Sequence, residues 1–339
     1  PNIIHAIRRQ SKIVHVASIY RFYSATSTSI HNTDSNWFNR YFGIEIEAVL
    51  PQQSLIPTYN DLHFYLKDIA IEHDEQHLFH DWQIKMDKTI HIDEESRDLL
   101  GFEIISPKLL YHEPTTQHNL QQICSVLLHP PLNAHLNVSC GFHVHCDATD
   151  LSLKQLYEIA VKYAYFEEVI DGYMNSSRRG DCNRYCKSLA FLLPRSDGLV
   201  LEIPKRAKAM DIFLNPDGKN HKLSFNVLKS HLRLKTIENR HHMATVDAAE
   251  MLHWVKFNLL FVARSLQCVV DLNVHELSVK EQLLWQYMQD DELMQYFQSK
   301  SVEDDLCLLN ELEAKRGRSE ERLPHRVLQQ YLSVLFRKE

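Results

Sequence analysis

Glu45-Ile46-Glu47 lies in YFGIEIEAVL (41–50), where Phe42, Ile44 and Ile46 alternate with the acids. Side chains two apart on a strand share a face, so the two carboxylates stand together with Cα atoms roughly 6.5–7 Å apart. Unpaired, they repel and one pKa rises; a divalent cation removes that penalty. The plain alternative is the solvent face of an edge strand. Gly141-Phe142-His143-Val144-His145 presents two imidazoles in the same way. Imidazole is a borderline ligand that suits Zn or Mn better than Mg. In a chain with 21 His, either could equally be a hydrogen-bonded structural residue. Thr236-Ile237-Glu238-Asn239-Arg240 sets a carboxylate and a guanidinium on one face, with His242 following. A nearby cation or phosphate accounts for the pair, and so does a simple salt bridge.

The elements that must carry these groups are legible from period and punctuation. Strands are predicted over 41–50, over 82–92 as two short pieces with a turn near Asp87, over 99–110 and 135–148, and as a pair over 222–231 and 232–242. Helices are predicted over 60–73, 115–128, 151–171 and 248–270, and again after 276. Asp150 is the expected cap of 151–171, whose Leu153, Leu156, Ile159 and Ala160 form a buried stripe. Asp247-Ala-Ala-Glu250 and Ser278-Val-Lys-Glu281 read as capping boxes. Residues 172–222 read as long loops rich in Arg and Lys. No Gly-rich phosphate loop follows a strand, which excludes the Rossmann and P-loop classes. The pattern is α+β: a largely antiparallel sheet with helices over its apolar side. Glu, His and Arg at strand positions where a core would have Val or Leu then line an open funnel. Mg2+ prefers oxygen ligands and phosphate oxygens, and Arg faces phosphate well.

The charge sum of −7 over 339 residues offers no global attraction to nucleic acid or anionic membrane. No apolar run approaches the roughly 18 residues that span a bilayer. Seven cysteines without a regular framework read as free thiols in a reducing compartment. Residues 1–35 carry Arg8, Arg9, Lys12 and Arg21 before the first acid, Asp34. They are expected to be a basic leader, a transit peptide or a disordered arm, of an intracellular protein that is cytoplasmic or mitochondrial.

In order along the chain, FGIEIE (42–47), W-x-x-x-x-D (82–87), GFEIISP (101–107), CGFHVH (140–145), Ser177-Arg178 with N-x-Y-C (183–186), and TIENRHH with TVD (236–247) resemble the amidoligase family. These are carboxylate–amine ligases related to glutamine synthetase and glutamate–cysteine ligase, and the resemblance covers about 40–265. It implies a glutamine-synthetase-like curved antiparallel β-sheet funnel with helices packed on its outer face. The catalytic domain is expected over 36–275, with a helical extension over 276–339 packed upon it. ATP and Mg2+, with Mn2+ as a substitute, are the implied cofactors. Glu47 then matches a ligand of the ion near the acceptor carboxylate, together with Glu103. Glu45 matches a ligand of the ion beside the nucleotide phosphates, with His143 and Glu238. Arg240 holds the transferring phosphoryl group, Asp87 stands at a further acidic ligand position, and His145 contacts substrate or phosphate. Asn226 in SFNVL matches an Asn before the last Glu strand, and Arg178 is the expected anion contact at the site mouth. Lys88 and Thr89 depart from the family's Gly and Ser after the acid. The implied substrates are a small-molecule, peptide or protein-side-chain carboxylate and an amine. A metal-dependent hydrolase of amides or phosphoesters, which would act without ATP, and a non-catalytic member of the same fold are the alternatives.

Overall fold

The structure, a computed structural model, describes residues 37–51, 79, 81–92, 99–130, 132–181, 183–193, 220–228, 235–270 and 272–300. The helix expected over 60–73, the leader and most of the C-terminal extension lie outside these residues. Six strands make one sheet: β1 (Phe42–Pro51), β2 (Gln83–Met86), β3 (Leu99–Ile105), β4 (Gly141–Asp147), β5 (Leu223–Phe225) and β6 (Thr236–Met243). Their order is β2-β3-β1-β4-β6-β5, and every neighbouring pair is antiparallel.

Register does most of the positioning. Directly opposed residues share a face, and the opposed pairs are Glu45 with His143, Glu47 with Glu103, and His145 with Glu238. The alternate residues Phe42, Ile44, Ile46, Phe142, Val144 and Cys146 enter one large apolar core on the opposite face. That core is closed by α1 (Pro114–Leu128), α2 (Leu153–Tyr173) and α3 (Ala248–Gln267). The architecture is α+β, as the periodicity predicts.

Local chemistry moves several expected boundaries. The cap of α2 is Ser152, in a reciprocal box with Gln155, while Asp150 forms a two-point ion pair with Arg40 at 2.7 and 2.8 Å. Leu153, in the first turn, is exposed rather than part of the stripe. Only the first half of 82–92 is a strand. Asp87 turns the chain, and Ile90 drops into a small cluster with Val49, Cys140 and Ala244. That turn sits so close to β3 that a Cβ at Gly101 would lie 2.6 Å from the Asp87 carbonyl. β5 ends after three residues because Asn226 begins a 3-10 turn that directs its amide at Glu238. Asp247 caps α3 as expected, although Glu250 reaches Thr245 instead of closing the box. The helix after 276, α4 (Leu277–Met288), begins without a side-chain cap: the expected Ser278–Glu281 box does not form, because Ser278 donates to Glu276 and Glu281 accepts from Tyr173 of α2. Residues 291–300 form the following helix, α5, whose Phe297 packs on Trp254 and Phe257.

One irregularity in β6 decides where a histidine points. Phe142 and Val144 of β4 face His242 and Asn239 of β6, so three steps on β6 match two on β4. This bulge carries His242 away from the Glu238–Arg240 face, where simple alternation puts it. It lies instead on the helix side, against Trp254 and Phe142 at 5.3 and 6.0 Å between ring centres.

Behind the same strand runs a buried polar network. Lys222, fully enclosed, donates to Glu167 (2.8 Å) and Asp171 (2.5 Å). Asp171 also takes His241 Nε2 at 2.6 Å, and Tyr163 meets His241 Nδ1 at 2.8 Å. Burial works against the Asp171 charge, but His241 and Lys222 outweigh it and hold the carboxyl at about 2. Burial, reinforced by Lys222, brings His241 down to about 4, so at neutral pH it is the uncharged tautomer that donates from Nε2. Lys222→Met leaves two carboxylates without their cation and is expected to destabilise the fold by about 3–5 kcal/mol. Urea unfolding checks this; a loss below about 1 kcal/mol would mean the lysine is dispensable.

Candidate active site

The polar face of the sheet gathers Glu45, Glu47, His143, His145 and Glu238. His143 Nδ1 lies 3.1 Å from Glu45 and 3.7 Å from Glu238, and its Nε2 lies 3.4 Å from Glu47. His145 Nε2 lies 3.1 Å from Glu45. Both Nε2 atoms are buried without a hydrogen bond of acceptable geometry. Glu45, His145 and Glu238 each offer one ligand atom within 4.8 Å of the others, so this trio fits a divalent cation. The resemblance pairs His143 with those two acids; the geometry brings His145 into the compact set and leaves His143 as a bridge from it towards Glu47. Thr236, which the sequence reading passed over, sits 3.0 Å from His145 Nδ1 and fixes the ring so that Nε2 faces the acids. Its position two residues before Glu238, on the same face, was the available signal.

The electrostatics are those of crowded carboxylates. Burial raises the Glu45 pKa, but His145 and His143 outweigh it and hold the group well below the usual range. Glu238 is likewise lowered: burial opposes its charge, and Arg240 and His145 more than compensate. Burial disfavours the charge of His145, yet Glu45 and Glu238 draw its pKa upward. The field that draws a proton there would draw a metal cation.

The remaining residues divide by placement. Glu47 accepts from the Gly141 backbone at 2.5 Å, which fixes it at the start of β4. No side chain is tolerated there, since a Cβ on Gly141 would meet His143 Nε2 at 2.5 Å and Arg178 at 3.1 Å. Arg178, in a 3-10 turn after α2, is 2% exposed; its guanidinium donates to the Ser139 carbonyl at 3.1 Å, and its Nε has no partner among the described residues. A guanidinium enclosed in this way is poised for an anion. Asn226 donates to Glu238 at 2.9 Å, so it orients an acid. Arg240 pairs with Glu238 and donates to the Tyr185 carbonyl at 3.3 Å. Asp87 stands apart from the trio, its carboxylate accepting from the Thr89 amide (2.7 Å) and hydroxyl.

A family model described as "Putative amidoligase enzyme" matches residues 39–262. The chain belongs to the amidoligase family. Ligase-type chemistry is therefore the framework for the amidoligase site. No curated protein matches the chain. Among solved structures, a bifunctional glutathione synthetase from Pasteurella multocida is similar over 78% of this chain at 10% identity and a TM-score of 0.39. The match covers 48% of that protein, so the amidoligase chain spans about half its length. Among the described residues no helix is long and apolar enough to cross a membrane.

Glu103, opposite Glu47, has its pKa pushed up to about 7, first by burial and then by Glu45 and Asp87. A carboxyl raised above its unfolded value stabilises the fold below about 4.5 and loses that contribution as pH rises through about 7. In metal-chelated buffer, Glu103→Gln should therefore lose less stability than wild type between pH 5 and 8. Melting temperatures at the two pH values check this, and parallel declines would show that Glu103 carries no such cost.

Proposed function

We propose that this amidoligase joins a carboxylate to an amine at the expense of ATP, through an acyl phosphate. The observation that carries the reading is the trio of Glu45, His145 and Glu238, with Arg240 on the same strand face. A divalent cation held there would supply charge neutralisation where a triphosphate and a carboxylate approach one another. Glu47 and Glu103 extend the acidic face towards the acceptor end of a glutamine-synthetase-like funnel, with His143 between the two groups of acids. Asp87, at the sheet edge, acts on this face through its charge on Glu103.

The residues have separable tasks. The acceptor carboxylate attacks the γ-phosphorus, ADP leaves, the amine adds to the acyl carbon, and phosphate is expelled. Arg240 turns from Glu238 to the equatorial oxygens of the phosphoryl group in flight, which its forked guanidinium suits. Asn226 keeps Glu238 oriented when that ion pair opens. Arg178, close to Gly141 and His143, receives an anionic group of the substrates. Mg2+ or Mn2+ suits the oxygen-rich donor set, and small molecules, peptides or a protein side chain are the substrate classes.

The test is a carboxylate-by-amine screen of the purified full chain with ATP and Mg2+, read by phosphate release and product mass. Glu238→Gln keeps an acceptor for Asn226 while removing the charge, so turnover should fall about 10²–10³-fold with the circular dichroism unchanged. Full ligase activity in that variant, or amide hydrolysis without ATP, would sink the reading. Arg178→Ala should raise KM for the one partner it holds; unchanged KM values for ATP and both organic substrates would remove Arg178 from recognition.

A further inference from the structure

On the helix side of β6 lies a cavity of about 370 Å³, within the range of small-molecule sites. The β6 bulge delivers His242 to its wall, and α3 contributes Glu250. Tyr296, Phe297 and Lys300 of α5 line it too, and all three lie beyond the 39–262 span of the family model. The wall is thus partly built by residues that belong to this chain's own extension.

Its charges are arranged for a ligand that carries both signs. His242 is 8% exposed, and its Nδ1 lies 2.6 Å from the Met243 carbonyl, which can only accept. Nδ1 therefore holds the proton, and among the described residues Nε2 has no hydrogen bond. Glu250 accepts from Thr245 through Oε2 (2.6 Å), while Oε1 stands 3.7 Å from His242 Nε2, too far for a bond between them. A primary ammonium between these two acceptors would satisfy both. Lys300 makes no ion pair among the described residues, with Glu250 or any other acid, although its charge reaches His242. Two acids, Asp247 and Glu250, and a lysine share one cavity, and among the described residues Lys300 pairs with neither; Asp247 is taken up by the Ala249 and Glu250 amides. Tyr296 and Phe297 supply an apolar part of the wall.

We infer that this cavity binds a free α-amino acid with an apolar side chain, its ammonium on Glu250 and His242, its carboxylate on Lys300 and its side chain against Tyr296 and Phe297. His242 in its wall lies on the opposite face of β6 from Glu238, while Asn175 in the lining caps the turn that carries Arg178. Calorimetric titration of the full chain with L-leucine tests it, beside 3-methylbutylamine and 4-methylpentanoate, which each keep one charge. Leucine should bind, with each single-charge analogue at least about tenfold weaker, a difference of about 1.4 kcal/mol. Glu250→Gln and Lys300→Met should each weaken leucine at least about tenfold, and Glu238→Gln should leave its affinity unchanged. Lys300 is partly exposed, so its variant reports on binding even if Glu250→Gln folds poorly. No leucine binding at 10 mM, roughly the weakest affinity of interest, would overturn the proposal. So would amine binding equal to leucine, insensitivity to Lys300→Met, or loss of binding in Glu238→Gln.

Discussion

Repulsion among carboxylates on one face of a sheet is the constraint around which this molecule is arranged. Glu45, Glu47, Glu103 and Glu238 are brought to neighbouring rungs by strand pairing, and the apolar residues between them commit that register to the core. A slip of one residue would bury the acids and expose Ile44 and Ile46, so core and site are fixed together. Compensation is local and incomplete: two imidazoles and Arg240 answer Glu45 and Glu238, while Glu103 is left with a raised pKa. That residual negative field is one that a bound cation would relieve.

The opposite face solves its own problem differently. Behind β6 the polar groups are enclosed, and nearly every donor has its acceptor, from Lys222 through Asp171 and His241 to Tyr163, Asn239 and Asn258. Glu238 and Arg240 are thus carried on a strand whose reverse side is anchored to α2 and α3 through directed bonds. The Lys222 carbonyl also accepts from the Arg240 amide at 2.8 Å, so the buried lysine and the site arginine share a backbone link. Rigidity on one side lets side chains on the other exchange partners.

Much of this was legible because period two and period 3.6 are strong signals. Phe42, Ile44 and Ile46 against Glu45 and Glu47 predict both the strand and its faces, and the stripes of 115–128 and 248–270 predict α1 and α3. What was not legible depends on distant partners or on one extra residue. Asp150 is a good local cap, but Arg40 claims it from across the fold, and Ser152 takes over. The β6 bulge breaks alternation without any Gly or Pro to announce it, so His242 stands behind the sheet rather than beside Glu238 and Arg240. Asn226 looks like a strand residue until Glu238 is beside it. The choice of His145 over His143 for the compact trio is a matter of ring orientation, which Thr236 sets.

The sheet order has a consequence for how the donor trio comes into being. β1 is the first of the described strands to be synthesised and β6 the last, and they meet β4 from opposite sides. Contacts of such long sequence separation form late, because the chain between them must first be ordered. A nascent chain that has reached β4 holds Glu45 and His145 but lacks Glu238, and two ligands grip a cation far less firmly than three. The three donor atoms therefore stand together only in the completed sheet, and a growing chain exposes at most two of them.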